Sequence, residues 1–278
     1  MRPRAITVCL ALGVFSCPVA TAQQPLAPPG AAVAAVDDQR LVLSTDGSTL
    51  SGGSGGGGGS VTWLRNIGSE AAIGAGADYQ QVANAHWTTG TASGSLALGQ
   101  GEAKPHIYVE VHEGAGDIGT HAFHYSLAAA GVLGALTPRL SVQLEDRRIY
   151  IDTSHGNLPK LGLSFQATPQ LLASASYAHS LGGNLDAKLT TVRLDYSAKS
   201  LSAIAGVVWG PAAPAVFDLI GQVVRPGPSL KEGFAGIGKA VGRTQWLLVG
   251  DYQDVEGTKR TSVTLACTVH LPARGQPQ

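Results

Sequence analysis

The stretch THAFHYSLAAAG, Thr120 to Gly131, sets His124 and Ser126 two residues apart. In an extended chain such residues share a face, where an imidazole could take the hydroxyl proton and activate the oxygen as a nucleophile. Glu110, on the preceding segment, is the candidate third member that would orient the imidazole, if the register between the segments brings it there. The chemistry implied is ester hydrolysis. The competing reading makes His124 and Ser126 two polar residues among many on the wet face of a strand.

A second set of residues suggests passage rather than reaction. Glu110, His112, Glu145, Arg147, Arg193, Asp195, Asp251 and Arg260 alternate with apolar neighbours and fall on polar faces. Charges of both signs on such faces suit a water-filled lumen that tunes what passes through it. They equally suit salt-bridged ladders that close a barrel and conduct nothing. No metal or cofactor is expected. His106 and His112 share a face but stand roughly 20 Å apart along a strand, and His121 and His124 fall on opposite faces. Lys and Arg number 19 and Asp and Glu 19, so there is no basic surplus to neutralise a nucleic acid.

The elements that must position these residues show themselves by period two. In HIYVEVHE, Ile107, Val109 and Val111 oppose His106, Tyr108, Glu110 and His112; from Thr261 to Leu271 apolar and polar residues alternate to the end of the segment. Strands are expected near residues 60–67, 70–81, 86–99, 106–114, 121–133, 139–151, 158–168, 170–180, 187–198, 200–209, 215–225, 230–241, 244–254 and 258–271. That is about fourteen, with twelve as the alternative count. Many reach the ~9–11 residues that a tilted membrane-crossing strand needs.

The N-terminus reads as a secretory signal: Arg2 and Arg4, an apolar run from Ala5 to Phe15, and small residues Ala20 to Ala22, with cleavage expected after Ala22. Cys9 and Cys17 would leave with it, and Cys267 alone forms neither an internal disulfide nor a cysteine metal site. Residues 23–60, ending in the run SGGSGGGGGS, have the composition of a flexible periplasmic linker, natural or engineered. The expected organisation is a signal at 1–22, a linker at 23–60, a barrel at 61–272 and a tail at 273–278. Trp63, Tyr79, Trp87, Tyr150, Tyr177, Trp209, Trp246 and Tyr252 lie mostly near strand ends, as interfacial girdles do. The fold class is therefore all-β: one antiparallel barrel closed in the outer membrane, with lipid as its surroundings. A soluble barrel is the other closure.

Two segments, LLASASYAHSLGGNLDAKLTTVRLDYSAK (171–199) and LKEGFAGIGKAVGRTQWLLVGDYQDVEGTKRTSVTLACTVHLP (230–272), resemble the barrel of the YaiO family of outer-membrane proteins. That resemblance implies a channel or export component tied to surface polysaccharide, with polysaccharide and periplasmic export proteins as partners. The family's helical tetratricopeptide repeats are absent from this sequence. The His124 and Ser126 spacing is similar to the His-x-Ser element of the outer-membrane phospholipase and lipid A deacylase families. Those families typically carry an asparagine after the serine, where this chain has Leu127. Phe123, Tyr125 and Leu127 are expected on the lipid side, which would turn His124 and Ser126 toward the lumen.

Overall fold

Alternating residues form hydrogen-bonded strands along the chain. A computed structural model describes residues 39–271 apart from 69, 100–103, 153, 184–186, 212–228 and 256–257. The expected signal peptide, the strand at 215–225 and the tail lie outside the described residues. The strands are β1 Gln39–Leu50, β2 Gly55–Ile67, β3 Ala71–Val82, β4 Ala85–Ala97, β5 His106–Ile118, β6 His121–Thr137 and β7 Leu140–Ile151. They continue as β8 Ser154–Thr168, β9 Leu171–His179, β10 Lys188–Ala198, β11 Leu201–Pro211, β12 Ser229–Val241, β13 Thr244–Val255 and β14 Thr258–Leu271. Each pairs antiparallel with its sequence neighbours, and β1 pairs with β14 to close a barrel of 14 strands. Closure removes the unpaired edge that hydrocarbon would penalise.

The linker expected at 23–60 gives way to two strands. Leu41 and Leu43 begin the alternation of β1, which completes the ladder between β14 and β2. The glycine run lies inside β2, paired on both sides. Its composition suggests disorder because it has no side chains of its own to pack; here it packs those of its neighbours. The Gln80 side chain lies across Gly58 and donates to Asp46 Oδ1 at 3.0 Å, two strands away. A Cβ at Gly58 would stand 2.5 Å from that side chain and 2.4 Å from the Tyr79 carbonyl oxygen. Only glycine lets the side chain through.

The two ends of the barrel differ. At the terminal end, β1 begins, β14 finishes, and tight turns such as Lys199-Ser200 and Gly242-Arg243 join strands. The opposite end, here the loop end, is where β11 finishes at Pro211 and β12 begins at Ser229. The outer surface is an apolar belt: Leu43, Val61, Val109, Leu163, Ile237 and Val263 all point away from the barrel and are exposed. Exposed aromatics bound it, Tyr79, Tyr150, Tyr177, Trp209 and Tyr252 toward the loop end, and Phe165, Tyr196 and Trp246 toward the terminal end. Along β13 the six-residue step from Trp246 to Tyr252 spans about 20 Å of strand, comparable to the ~25 Å band of outer-membrane barrels. Trp87 departs from the expected girdle. It is buried inside the barrel with Phe123, Tyr125, Leu127, Ile149 and Ile151, in an apolar cluster contributed by β3 to β9 near the loop end.

Candidate lumen site

The inner faces of β5 to β8 build a charged network from the residues upward. Tyr108, Glu110 and His112 stand two apart on β5, and the His112 ring nitrogen Nε2 meets Glu110 Oε1 at 2.5 Å. Glu145 on β7 is the hub. It accepts hydrogen bonds from the Tyr108 hydroxyl and the Arg147 guanidinium, from Gln143 Nε2 at 3.2 Å, and from Lys160 Nζ at 3.4 Å. Its side chain is 2% exposed, and those of Arg147 and Lys160 are 12% and 14% exposed. One carboxylate thus serves two cations in a sparsely hydrated pocket, where such bonds are strong and their loss is severe.

A second group lines β12 to β14. Ser262 Oγ donates to Asp251 Oδ1 at 2.7 Å, and Gln253 Nε2 donates to Glu232 at 3.3 Å. Arg260 shares this inner face, being paired across the strands with Gln253 and Leu50. On β10, Arg193 and Asp195 pair through Nε at 2.9 Å. The eight charged positions singled out in the sequence therefore all sit on the inner wall, but in separate groups rather than one ladder. Lys160, Tyr108, Gln143, Glu232 and Ser262 complete these groups. Lys160 gives no alternation signal, because both Pro159 and Leu161 on the outer face and Leu158 on the inner face flank it with apolar residues. Glu232 follows Lys231 in a glycine-rich segment where the pattern is equally mute.

Three inner aromatic rings lie against the wall of the barrel. The Tyr125 ring covers Gly114, the Tyr108 ring covers Gly131 and the Phe234 ring covers Gly206, each glycine being its direct cross-strand partner. A Cβ at any of the three would stand within 2.4 Å of the ring. Tyr125 is held by Thr89 through its hydroxyl, and its ring stacks on Phe123 at a centroid distance of 6.4 Å.

His124 and Ser126 face the opposite way from the expectation. Phe123, Tyr125 and Leu127 point inward and are buried, so His124 and Ser126 lie on the outside of the barrel. Glu110 faces the lumen and does not reach them. Their acidic neighbour is Glu113: Ser126 Oγ donates to Glu113 Oε1 at 2.8 Å, and His124 Nε2 stands 3.4 Å from Glu113 Oε2. The hydroxyl proton is directed to a carboxylate and not to the imidazole, so the histidine is not placed as the base of a nucleophile. The reversal follows from height. These residues lie close to the loop-end turn of β5 and β6, beyond the apolar belt marked by Val109 and Val111, where the outside is wet and the inside is packed. His86 with Asp117 at 3.4 Å and His121 with Asp152 at 3.8 Å continue the same rim. No grouping of three His, Cys, Asp or Glu side chains that could hold a metal ion occurs among the described residues.

No family model matches the sequence, and no curated protein matches it. Solved structures do. The CymD monoaromatic hydrocarbon channel superposes with a TM-score of 0.58 and 11% identity, over 86% of this chain and 90% of that chain. The ΔS2S3 mutant of the TodX monoaromatic hydrocarbon channel gives 0.56 and 9%, over 88% and 93%. A Pseudomonas aeruginosa FadL homologue gives 0.56 and 10%, over 84% and 90%. At such identities the likeness is one of fold, and it places this chain's architecture among the bacterial outer-membrane β-barrels.

Proposed function

We propose that the protein is a non-enzymatic outer-membrane channel for small solutes that carry apolar parts. The observation behind this reading is a closed 14-strand barrel whose inner wall carries fixed charge, with the Tyr108, Tyr125 and Phe234 rings lying against cross-strand glycines. Below the loop end the Glu145 network supplies fixed charge, and above it the cluster around Trp87, Tyr125 and Ile149 supplies an apolar wall. An apolar entry followed by a charged passage suits molecules with some hydrophobic surface. The hydrocarbon cargo named for CymD and TodX agrees with such a wall. The YaiO resemblance would instead make the cargo a surface polysaccharide, handled with periplasmic export proteins; a partly apolar lumen favours the smaller solute.

Single-channel recording of the refolded chain in planar bilayers tests the reading. Stable ohmic steps support it, and silence from correctly folded barrels refutes it. Liposome swelling in oligosaccharides and in small aromatic solutes then separates the two cargoes.

A further inference from the structure

We infer that the outer wall at the terminal end, between β10 and β13, holds the headgroup of an anionic phospholipid, its phosphate met by Lys199, Lys239 and Arg243 and its acyl chains lying on Ile237 and Leu248. The inference needs the barrel in a membrane and does not need an open lumen.

The position follows from register. Lys239 on β12 stands between Leu201 on β11 and Trp246 on β13, its direct cross-strand partners on the outer face. Trp246 is one of the aromatics that bound the apolar belt at this end, so Lys239 sits at the height where hydrocarbon gives way to headgroups. Lys199 and Arg243 lie one step further out, in the two-residue turns that join β10 to β11 and β12 to β13. The ladder between β11 and β12 runs on into the first turn, where the Ala240 N–H donates to the Ser200 carbonyl at 2.7 Å. With ~4.8 Å between strands and ~3.4 Å per residue, the backbones of Lys199 and Arg243 each stand roughly 10 Å from that of Lys239. Three long side chains then converge on one phosphate.

Nothing nearby neutralises them. All three are exposed, and none pairs through its side chain among the described residues. Lys104, elsewhere at the same end, is by contrast paired with Glu70 at 3.7 Å. From β8 to β14 the described carboxyl groups are Asp195, which faces the lumen with Arg193, and Glu232, Asp251 and Asp254, which lie toward the loop end. The patch thus carries three positive charges beside bare aliphatic surface, Ile237 being 69% and Val241 57% exposed. Cations over apolar surface at headgroup height complement a lipid with net negative charge. Lys199 also holds a left-handed backbone, φ 50°, where the matching position of the next terminal-end hairpin is Gly242, φ 59°. A lysine kept where glycine is easier argues that its side chain is used.

The test offers the refolded chain, in mixed micelles, equal amounts of dioleoylphosphatidylglycerol and dioleoylphosphatidylcholine, and counts the lipids retained by mass spectrometry of the intact complex. Phosphatidylglycerol should be retained at least about fivefold over phosphatidylcholine, the effect of one cation beside a charged headgroup. Lys199→Gly, Lys239→Gln and Arg243→Gln together should bring the ratio close to one. The matched loop-end set Lys188→Gln, Lys231→Gln and Lys259→Gln, also exposed, should leave it unchanged. Equal retention of the two lipids by the parent chain overturns the inference. So does a preference that survives the first set in a barrel shown folded by its heat-dependent gel mobility, or one that both sets reduce alike, which would be an effect of net charge. Displacement of the lipid by millimolar inorganic phosphate overturns it too, since the apolar wall would then contribute nothing. If the first set fails to fold together, the three single substitutions decide, each lowering the ratio.

Discussion

Replacing Glu145 by Gln should destabilise the barrel by about 3 kcal/mol, because it strands two cations in a poorly hydrated pocket. The Glu145 side chain is 2% exposed, and it faces Arg147 and Lys160, which are 12% and 14% exposed. Breaking a buried pair by removing one partner loses ~3–5 kcal/mol, and the lower part of that range fits cations that retain some access to water. Tyr108 and Gln143 keep an acceptor in the amide oxygen, so the loss is chiefly one of charge. Equilibrium urea unfolding of the refolded protein in liposomes reads the change. With m near 1–3 kcal/mol per molar urea, the midpoint should fall by roughly 1–3 M. Adding Lys160→Met removes one stranded cation and should recover about 1–2 kcal/mol, as expected for residues sharing one network. A loss under about 1 kcal/mol at low salt, with no recovery from the second substitution, would show that lumen water solvates the cations and that the network is not a structural hub. The same Gln substitution should move the reversal potential toward anion selectivity.

Other substitutions probe separate parts of the barrel. Gly58→Val should lower stability by about 1–3 kcal/mol through overpacking against Gln80 and Tyr79, while Gly47→Ala, whose Cβ meets nothing within 4 Å, should change it little; urea midpoints compare the two. Val109→Arg, in the outer belt, should impair membrane insertion by about 2–4 kcal/mol if that position lies near the bilayer midplane, measured by refolding yield into liposomes. Ser126→Ala should leave lipid hydrolysis at the level of empty liposomes and shift stability by no more than about 0.5 kcal/mol, since its partner Glu113 is solvated. Loss of a measurable lipase activity in that variant would return Ser126, His124 and Glu113 to consideration as a reactive site.

Much of the architecture is legible as alternation, because a pleated strand writes its two faces into the chain with period two. From Ala71 onward most expected strands coincide with observed ones to within a few residues, and the count of fourteen follows from the same signal. The count was reached differently, however. The strand expected at 215–225 lies outside the described residues, and β1, within the segment that composition marks as a linker, takes its place. Periodicity needs side chains to be seen, and in Gly55 to Gly59 the packing atoms belong to Gln80, Ser48 and Asp46 on other strands.

The sequence by itself determined that this chain is built of long amphipathic strands, with Glu110, Glu145, Arg193 and Asp251 opposite apolar neighbours. Which face looks inward is not contained in the alternation. It depends on what surrounds each strand at each height. In the apolar belt Val109 and Val111 turn outward, while toward the loop end Phe123, Tyr125 and Leu127 turn inward and His124 and Ser126 meet water. Cross-strand partners are equally a matter of register: Tyr125 over Gly114, Lys160 beside Glu145, and Ser48 beside Ser262 each join residues far apart in the chain. Tertiary structure alone decided these, because a barrel fixes its neighbours by closing, and a strand carries no record of the one beside it.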